Sequence, residues 1–457
     1  MIVKNKDENQ KENFEEAIKS FKDADSIVFS VDITNEEALV FQSRKEKYGT
    51  KLICSEAKAY QDFMKAYGSS SGYHIFEGDL HTLATSKVVI SFGAWFKHEE
   101  TEPLSSVRQI VEEKKAKFVY MHPIEDLTLQ PSITQFIKYE VGSEEGVAAL
   151  LAHTLLEDKE VPEEIKDILE DLDIGYLSAE SNVGEEELES MYSLIGEKTV
   201  ISLIIGSDLY THPKAGQIAK LIALLERYAG MHVLCVPPVQ NALGIALICD
   251  LDDVPQGRCV SYKSCKEGTY VNVDKCVYVN EDMLTLDAAG LNTISHDLGL
   301  DTKNLIDYSN QLPQDKGFQK FCEDDIKKPC IYKLIPQEQI RDFTLDEIDD
   351  LPVYDGAVIY TYEVEKSVAE ERKIEGVLSG SKQFSVATKL QDGDVISFEI
   401  EGLKLTRVFK IDTYMKGVIA LNPTFDMKLS ASLISSYRFS RLAFEKINNQ
   451  KIGNNDE

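Results

Sequence analysis

Cysteine is the residue type in this sequence with the clearest capacity for chemistry, because thiolates bind metals and undergo redox reactions. Cys265 and Cys276 stand at the ends of the segment CKEGTYVNVDKC. Zinc and iron-sulfur sites typically take pairs of ligands from CxxC turns, and the sequence contains no CxxC. Spacing alone leaves open whether a metal binds at Cys249, Cys259, Cys265 and Cys276. Our expectation is that this chain carries no metal or cofactor of its own.

A second candidate for chemistry is the loop GSDLYTHP, which offers Asp208, Tyr210 and His212. Such loops lie at the carboxyl ends of strands, where open α/β sheets bind ligands. The loop has neither the GxGxxG nor the GxxxxGK[ST] glycines that bring backbone amides against a phosphate. No nucleophile pattern accompanies His212, which precedes Pro213 and is predicted to act at a loop or helix start. From the residues alone, we assign no catalytic, cofactor-binding or metal-binding residue.

The elements that must position these residues form a weak internal repeat. Residues 88–123, VVISFGAWFKHEETEPLSSVRQIVEEKKAKFVYMHP, and residues 200–238, VISLIIGSDLYTHPKAGQIAKLIALLERYAGMHVLCVPP, follow one plan. Each has an apolar strand, a glycine at its end, a polar loop, a proline near a helix start, a helix and a second strand. This order predicts two βαβ units with right-handed crossovers.

Four segments are predicted along the chain. Residues 1–150 alternate apolar strands with amphipathic helices and predict an α/β half-domain with parallel strands. Residues 151–250 contain an acidic helical segment and the second α/β unit, and residues 251–350 an irregular connection with a hairpin around Gly268. Residues 351–457 predict a C-terminal β-barrel, with KQFSVATKL among its strands and a helical tail over LSASLISSYRFSRLAFEKI.

The charge excludes one class of partner. The 457 residues include 49 basic and 78 acidic side chains, a formal charge of −29, which repels nucleic acid. The sequence has no apolar run of 18 residues and no apolar N-terminal region typical of a signal peptide. We therefore expect no nucleic-acid partner, no direct membrane insertion and reduced cysteines in the cytoplasm.

Several stretches, in this order along the chain, resemble a known family. The two repeat units look like the half-sheets of the molybdopterin oxidoreductase fold. Within that superfamily, KEGTYVNVDKCVYV resembles the QEGT(F/Y) hairpin of the large iron-sulfur subunit of bacterial respiratory complex I, the NADH-quinone oxidoreductase. NLIDYSNQLPQDKGFQ and LQDGDVISFEIEGLKLTRVFKIDTYMKGVIALNPTFD are similar to that family's later connection and C-terminal barrel. The resemblance covers about residues 20–440 and only the molybdopterin-oxidoreductase-like part of the family.

The resemblance implies a role in an assembly. No position matches the family's N-terminal cluster ligands, so iron-sulfur clusters and flavin are expected elsewhere in the complex. The chain would be a structural, non-catalytic subunit of the peripheral arm of an NADH or ferredoxin/flavodoxin:quinone oxidoreductase. It would contact other arm subunits on the cytoplasmic side of the inner membrane. Two alternatives stay open: a reduced molybdopterin-dependent oxidoreductase with Asp208 and Asn422 as pterin contacts, or a free-standing acidic assembly or interaction protein.

Overall fold

A computed structural model describes residues 8–96, 102–127, 129–196, 199–238, 241–262, 268–279, 295–300, 311–320, 330–348, 350–354, 356–364, 366–374, 376–424 and 436–447. Its helices are α1 Glu8–Lys22, α2 Asn35–Tyr48, α3 Ser55–Ser71, α4 Leu80–Thr85, α5 Glu102–Lys114, α6 Glu144–Leu156, α7 Glu163–Glu170, α8 Ile174–Ser181, α9 Glu185–Ser193, α10 Ala215–Ala229, α11 Ala242–Ile248, α12 Lys366–Arg372 and α13 Lys382–Thr388. Its strands are β1 Ser26–Phe29, β2 Lys51–Ile53, β3 Val88–Phe92, β4 Lys117–Met121, β5 Gln135–Ile137, β6 Ile201–Ile205, β7 His232–Cys235, β8 Cys259–Tyr262, β9 Thr269–Val271, β10 Cys276–Val279, β11 Phe318–Lys320, β12 Cys330–Leu334, β13 Val358–Glu363, β14 Val377–Gly380, β15 Val395–Ile400, β16 Leu403–Ile411, β17 Ile419–Thr424, β18 Phe439–Arg441 and β19 Phe444–Lys446.

The chain divides into two compact units. Unit 1 comprises Met1–His81 and Leu234–Phe343, and unit 2 comprises Thr82–Val233 and Thr344–Glu457. The strands predicted together in residues 1–150 are shared between them, with β1 and β2 in unit 1 and β3 and β4 in unit 2. None of the described helices combines the length and apolarity needed to cross a bilayer.

Unit 1 contains two small sheets. The first is parallel, with the order β2-β1-β8, and Ser26 pairs with Lys51 on one side and Cys259 on the other. The second is antiparallel, with the order β11-β12-β10-β9. The segment 251–350, predicted as an irregular connection, therefore supplies β8 and the hairpin β9–β10. The turn of that hairpin runs from Asn272 to Lys275, where the Lys275 N–H donates to Asn272 O at 3.1 Å.

Asp252 joins the end of α2 and strand β2 to the segment that follows α11. Its carboxylate accepts hydrogen bonds from Lys45 Nζ at 2.7 Å, Lys51 Nζ at 2.7 Å and the Leu52 N–H at 3.0 Å. Burial raises the pKa of this carboxyl, but the three hydrogen bonds outweigh burial and lower the pKa to about 2.

The lowered pKa of Asp252 predicts a loss of stability in acid. The unfolded chain takes up the proton at about pH 3.9, so stability falls as the pH drops from about 4 towards 2, by about 2 kcal/mol. Asp252→Asn should remove this part of the acid dependence, measured by urea unfolding at a series of pH values. Asp342→Asn, at an exposed position of unit 1, is the matched control. Equal acid dependence in wild type and Asp252→Asn would contradict the assignment.

The core of unit 2 belongs to a five-stranded sheet in the order β5-β4-β3-β6-β7, and the boundary with unit 1 falls within β7. Strand β3 pairs in parallel with β4 and with β6, which confirms parallel strands in the predicted repeat. Every residue of β3 and β6 is buried, which explains their continuous apolar sequence. The helices α5 and α10 connect β3 to β4 and β6 to β7, as predicted.

The C-terminal part of unit 2 is a mixed seven-stranded sheet, in the order β18-β13-β17-β14-β16-β15-β19. Strand β18 pairs with β13 at one end of this order, and β19 pairs with β15 at the other end. Only Leu442 and Ala443 separate β18 from β19 in the chain. Since two residues span only about 10 Å, the sheet must curl to bring its ends together. The predicted barrel is thus a curled half-barrel in the structure.

Two predictions for this half-barrel are wrong. KQFSVATKL forms helix α13 instead of a strand, because the Ser381 hydroxyl accepts a hydrogen bond from the Phe384 N–H and caps the helix. The described part of the predicted helical tail contains β18 and β19, since β13 and β15 offer free strand edges with which they pair. Residues 429–435 of that tail lie outside the described residues.

Candidate functional site

The place in unit 2 best suited to bind a ligand is the carboxyl end of β3 and β6. From β3 the chain continues to β4 and β5 on one side of the sheet, and from β6 it continues to β7 on the other. The boundary between these neighbouring strands is a topological switch point, where open α/β sheets usually bind ligands. The residues that follow the two strands therefore define the candidate site.

Equivalent glycines of the two repeat units meet at this switch point. The Gly206 N–H donates to Phe92 O at 2.9 Å, and the Asp208 N–H donates to Gly93 O at 3.3 Å. A Cβ atom on Gly206 would lie 2.1 Å from Gly93 O and 2.3 Å from Ala94 Cα. Only glycine allows this approach of two backbones, and the approach places Asp208 at the centre of the edge.

Four residues from distant parts of the sequence form what we call the polar centre: His122, Asp208, Tyr360 and Arg438. The carboxylate of Asp208 is 3.0 Å from His122 Nε2, 3.0 Å from the Tyr360 hydroxyl and 3.3 Å from Arg438 Nη1. The Ile124 N–H donates to His122 Nδ1 at 2.9 Å, which leaves the Nε2–H to donate to Asp208. Arg438 supplies the positive charge that balances this carboxylate.

Side chains of the half-barrel cover the polar centre. The Trp95 ring meets Tyr360 and Tyr362 of β13 edge to face, with ring centroids 5.0 and 5.3 Å apart. Phe439 of β18 lies 4.7 Å from the Tyr360 ring by the same measure. His122 and Tyr360 are 0% exposed and Asp208 is 1% exposed. The carboxyl edge of the sheet is thus filled by aromatic and polar side chains of unit 2 itself.

A second buried histidine–carboxylate pair belongs to the same unit. His212 Nε2 lies 3.3 Å from Glu144 Oε2, and the Tyr437 hydroxyl donates to Glu144 Oε1 at 2.5 Å. Burial is the main cause that raises the pKa of Tyr437 well above its usual value, and the neighbouring Glu144 carboxylate adds to the rise. The Lys214 N–H donates to His212 Nδ1 at 3.0 Å, so His212 also supports the start of α10 as predicted.

The residues that the sequence singled out make different contacts in the structure. Asp208 and His212 enter the two buried pairs, while the Tyr210 hydroxyl donates to Ile205 O at the end of β6, at 3.0 Å. His122 directly follows β4, and its ring nitrogens are hydrogen-bonded. Sequence reasoning missed the contributions of Glu144, Tyr360, Tyr437 and Arg438, and no motif in the sequence connects them.

The cysteines of the described residues contribute no side chain to these clusters. Cys249 is buried at the end of α11, and burial raises the pKa of its thiol far above the usual range. Cys259 is exposed on β8, Cys276 is partly buried on β10, and Cys265 lies outside the described residues. Among the residues that the structure describes, no group of three His, Cys, Asp or Glu side chains is placed to hold a metal ion.

The hairpin that contains Cys276 is anchored in unit 1 by its other residues. Glu36 is 0% exposed and accepts hydrogen bonds from the Thr269 N–H at 2.6 Å and the Thr269 hydroxyl at 2.9 Å. Gly268 adopts φ +138°, and a Cβ there would lie 2.2 Å from Glu36 Oε2. At the turn, Lys275 Nζ donates to Glu77 O at 2.8 Å. Gly268, Thr269 and Lys275 therefore fix the conformation of residues 268–276.

Thr269→Val should destabilise unit 1 by about 2 kcal/mol, because a buried carboxylate loses one of its donors. Asn35 Nδ2 also loses the hydroxyl that accepts from it at 3.1 Å. Urea unfolding followed by circular dichroism measures the effect. The double variant Glu36→Gln, Thr269→Val should cost less than the sum of its single changes, and strict additivity would contradict the coupling.

Comparisons with known proteins identify the fold and no family. No family model and no curated protein matches the sequence. Among solved structures, acetylene hydratase from Pelobacter acetylenicus superposes with a TM-score of 0.62 at 9% identity, over 92% of this chain and 82% of that chain. The chain shares the fold of that protein, which is a molybdopterin-enzyme fold. This agrees with the coarse α/β class that the sequence indicates.

Proposed function

We propose that this chain is a non-catalytic structural subunit in the peripheral arm of a complex I-like NADH or ferredoxin/flavodoxin:quinone oxidoreductase. The observation that carries the proposal is the closed switch point of unit 2. Asp208, the residue best placed to meet a ligand there, takes its donors from His122, Tyr360 and Arg438. A fold whose usual ligand edge is filled by its own side chains is suited to a scaffold.

Two further observations support this function. The segment KEGTYVNVDKC carries the sequence resemblance to the large iron-sulfur subunit of complex I, and its residues 268–276 form a hairpin held by Gly268, Thr269 and Lys275. The fold is one that molybdopterin enzymes adopt, as that resemblance implies. In this account the chain contacts other arm subunits on the cytoplasmic side of the inner membrane, and clusters and flavin lie in those subunits.

The fold likeness also favours a second candidate, a reduced molybdopterin-dependent oxidoreductase. The two pterin contacts suggested by the sequence, Asp208 and Asn422, do not fit that role. Both are at most 1% exposed, and Asn422 accepts from Arg407 Nε at 3.0 Å and donates to the Thr361 hydroxyl at 3.2 Å. Their polar atoms already serve the protein, so we derive no chemical step through a pterin.

Affinity isolation of the tagged chain from its native host, with subunit identification and elemental analysis, distinguishes these functions. We expect co-isolation of membrane subunits of a quinone oxidoreductase, with molybdenum and tungsten absent. Stoichiometric molybdenum or tungsten in the isolated chain would support the enzyme. Recovery as a colourless monomer in repeated isolations would favour a free-standing assembly protein. Stoichiometric iron, with broad absorbance near about 400 nm, would overturn the scaffold role of this chain.

A further inference from the structure

The interior of the half-barrel contains a buried arginine. Arg407 of β16 pairs with Ile396 of β15, whose side chain belongs to the half-barrel core, so both side chains lie on the inner face. Arg407 is 9% exposed. Burial lowers the pKa of its guanidinium from the usual value.

The hydrogen bonds of Arg407 all go to neutral oxygens. Its donors meet Asn422 Oδ1 at 3.0 Å, Thr406 O at 3.1 Å and Pro423 O at 3.5 Å. In the described part of the chain, Arg407 has no ion pair, and three of its five N–H groups are used. A buried guanidinium without a counter-charge is costly, and binding an anion would relieve that cost.

Neighbouring inner-face residues provide further polar groups. Asn422 and Thr424 follow the core residue Ala420 of β17 at intervals of two, so all three share a face. The Thr424 hydroxyl is buried and has no hydrogen-bond partner among the residues that the structure describes. Thr361 of β13 completes the set through its hydroxyl, which accepts from Asn422 Nδ2.

We propose that Arg407, Asn422, Thr424 and Thr361 form a binding site for a small oxyanion, a phosphate or a carboxylate, inside the half-barrel. The planar guanidinium presents paired N–H groups that match the oxygens of either group. The Thr424 hydroxyl supplies a further donor to the same ligand. The site is separate from the polar centre and does not depend on the function proposed above.

Thermal unfolding of the full chain in phosphate, acetate and chloride at equal ionic strength tests this site. In wild type, the preferred oxyanion should raise the Tm over chloride by about 5 °C at concentrations near 100 times its Kd. A larger rise in phosphate identifies a phosphate ligand, and a larger rise in acetate identifies a carboxylate. Arg407→Met should abolish the rise, while Lys410→Met, at an exposed position of the same strand, should keep it.

Thr424→Val is a second variant, and it tests the site even if Arg407→Met fails to fold. It replaces the buried hydroxyl by a methyl group, so the fold should keep its Tm in chloride. Its half-saturating oxyanion concentration should rise about tenfold. Equal Tm values in all three anions for wild type would overturn the site. An anion-dependent rise of the same size in Arg407→Met would overturn it as well.

Discussion

Asp208→Asn should lower the free energy of unfolding of unit 2 by about 3 kcal/mol or more, because it removes the negative charge from the polar centre. In wild type this carboxylate balances Arg438 and accepts from His122 and Tyr360. The asparagine keeps the shape but leaves the guanidinium without its counter-charge. Trp95, the one tryptophan of the sequence, packs on Tyr360 and provides a fluorescence signal for urea unfolding.

Two variants control this experiment. Asp167→Asn, at an exposed position of α7, should change stability by less than about 0.5 kcal/mol. Asp208→Asn combined with Arg438→Met should be less destabilised than the sum of the single variants, because the unpaired charge is removed with its partner. A cost below about 0.5 kcal/mol for Asp208→Asn would show that the polar centre contributes little to stability.

Gly206→Ala is expected to be at least as damaging, with a loss of about 3 kcal/mol or failure to fold. The new Cβ would meet Gly93 O at 2.1 Å and the Ala94 N and Cα atoms at 2.3 Å. These are backbone atoms of the neighbouring strand end, which cannot rotate away as a flexible side chain can. The strand exits would have to separate, and Asp208 would move out of reach of Arg438.

Gly175→Ala is the matched control for that change. Gly175 lies in α8 of the same unit, and a Cβ there would have only an ordinary contact, at 3.5 Å from Asp173 Oδ1. Alanine is favoured over glycine within a helix, so this variant should be neutral or stabilised by about 0.5 kcal/mol. Similar unfolding curves for Gly206→Ala and Gly175→Ala would contradict the close approach of the two strand exits.

The βαβ units could be predicted because their signals are local. The buried strands around Ile90 and Leu203 are continuous apolar runs, and Gly93 and Gly206 mark their exits. The same local patterns failed at KQFSVATKL, where the cap at Ser381 decided the conformation, and at β18 and β19, where pairing partners decided it. The alternation of apolar and polar residues did not distinguish helix from strand in these two segments.

The candidate site could be predicted only in part. Asp208 and His212 were found because they follow a predicted parallel strand. The partners Tyr360 and Arg438 of Asp208 lie 152 or more residues away, and only the folded half-barrel brings them to the sheet. The buried role of Glu144 was equally hidden, since an acidic residue at a helix start is usually an exposed partner of the helix dipole.

We propose that this chain supports an assembly and performs no chemistry at its switch point. The most direct measurement is the subunit and metal composition of the complex isolated on the tagged chain from its native host. We expect stoichiometric quinone-oxidoreductase membrane subunits, with molybdenum and tungsten absent. Isolation of the chain without such subunits, together with stoichiometric molybdenum or tungsten, would contradict it.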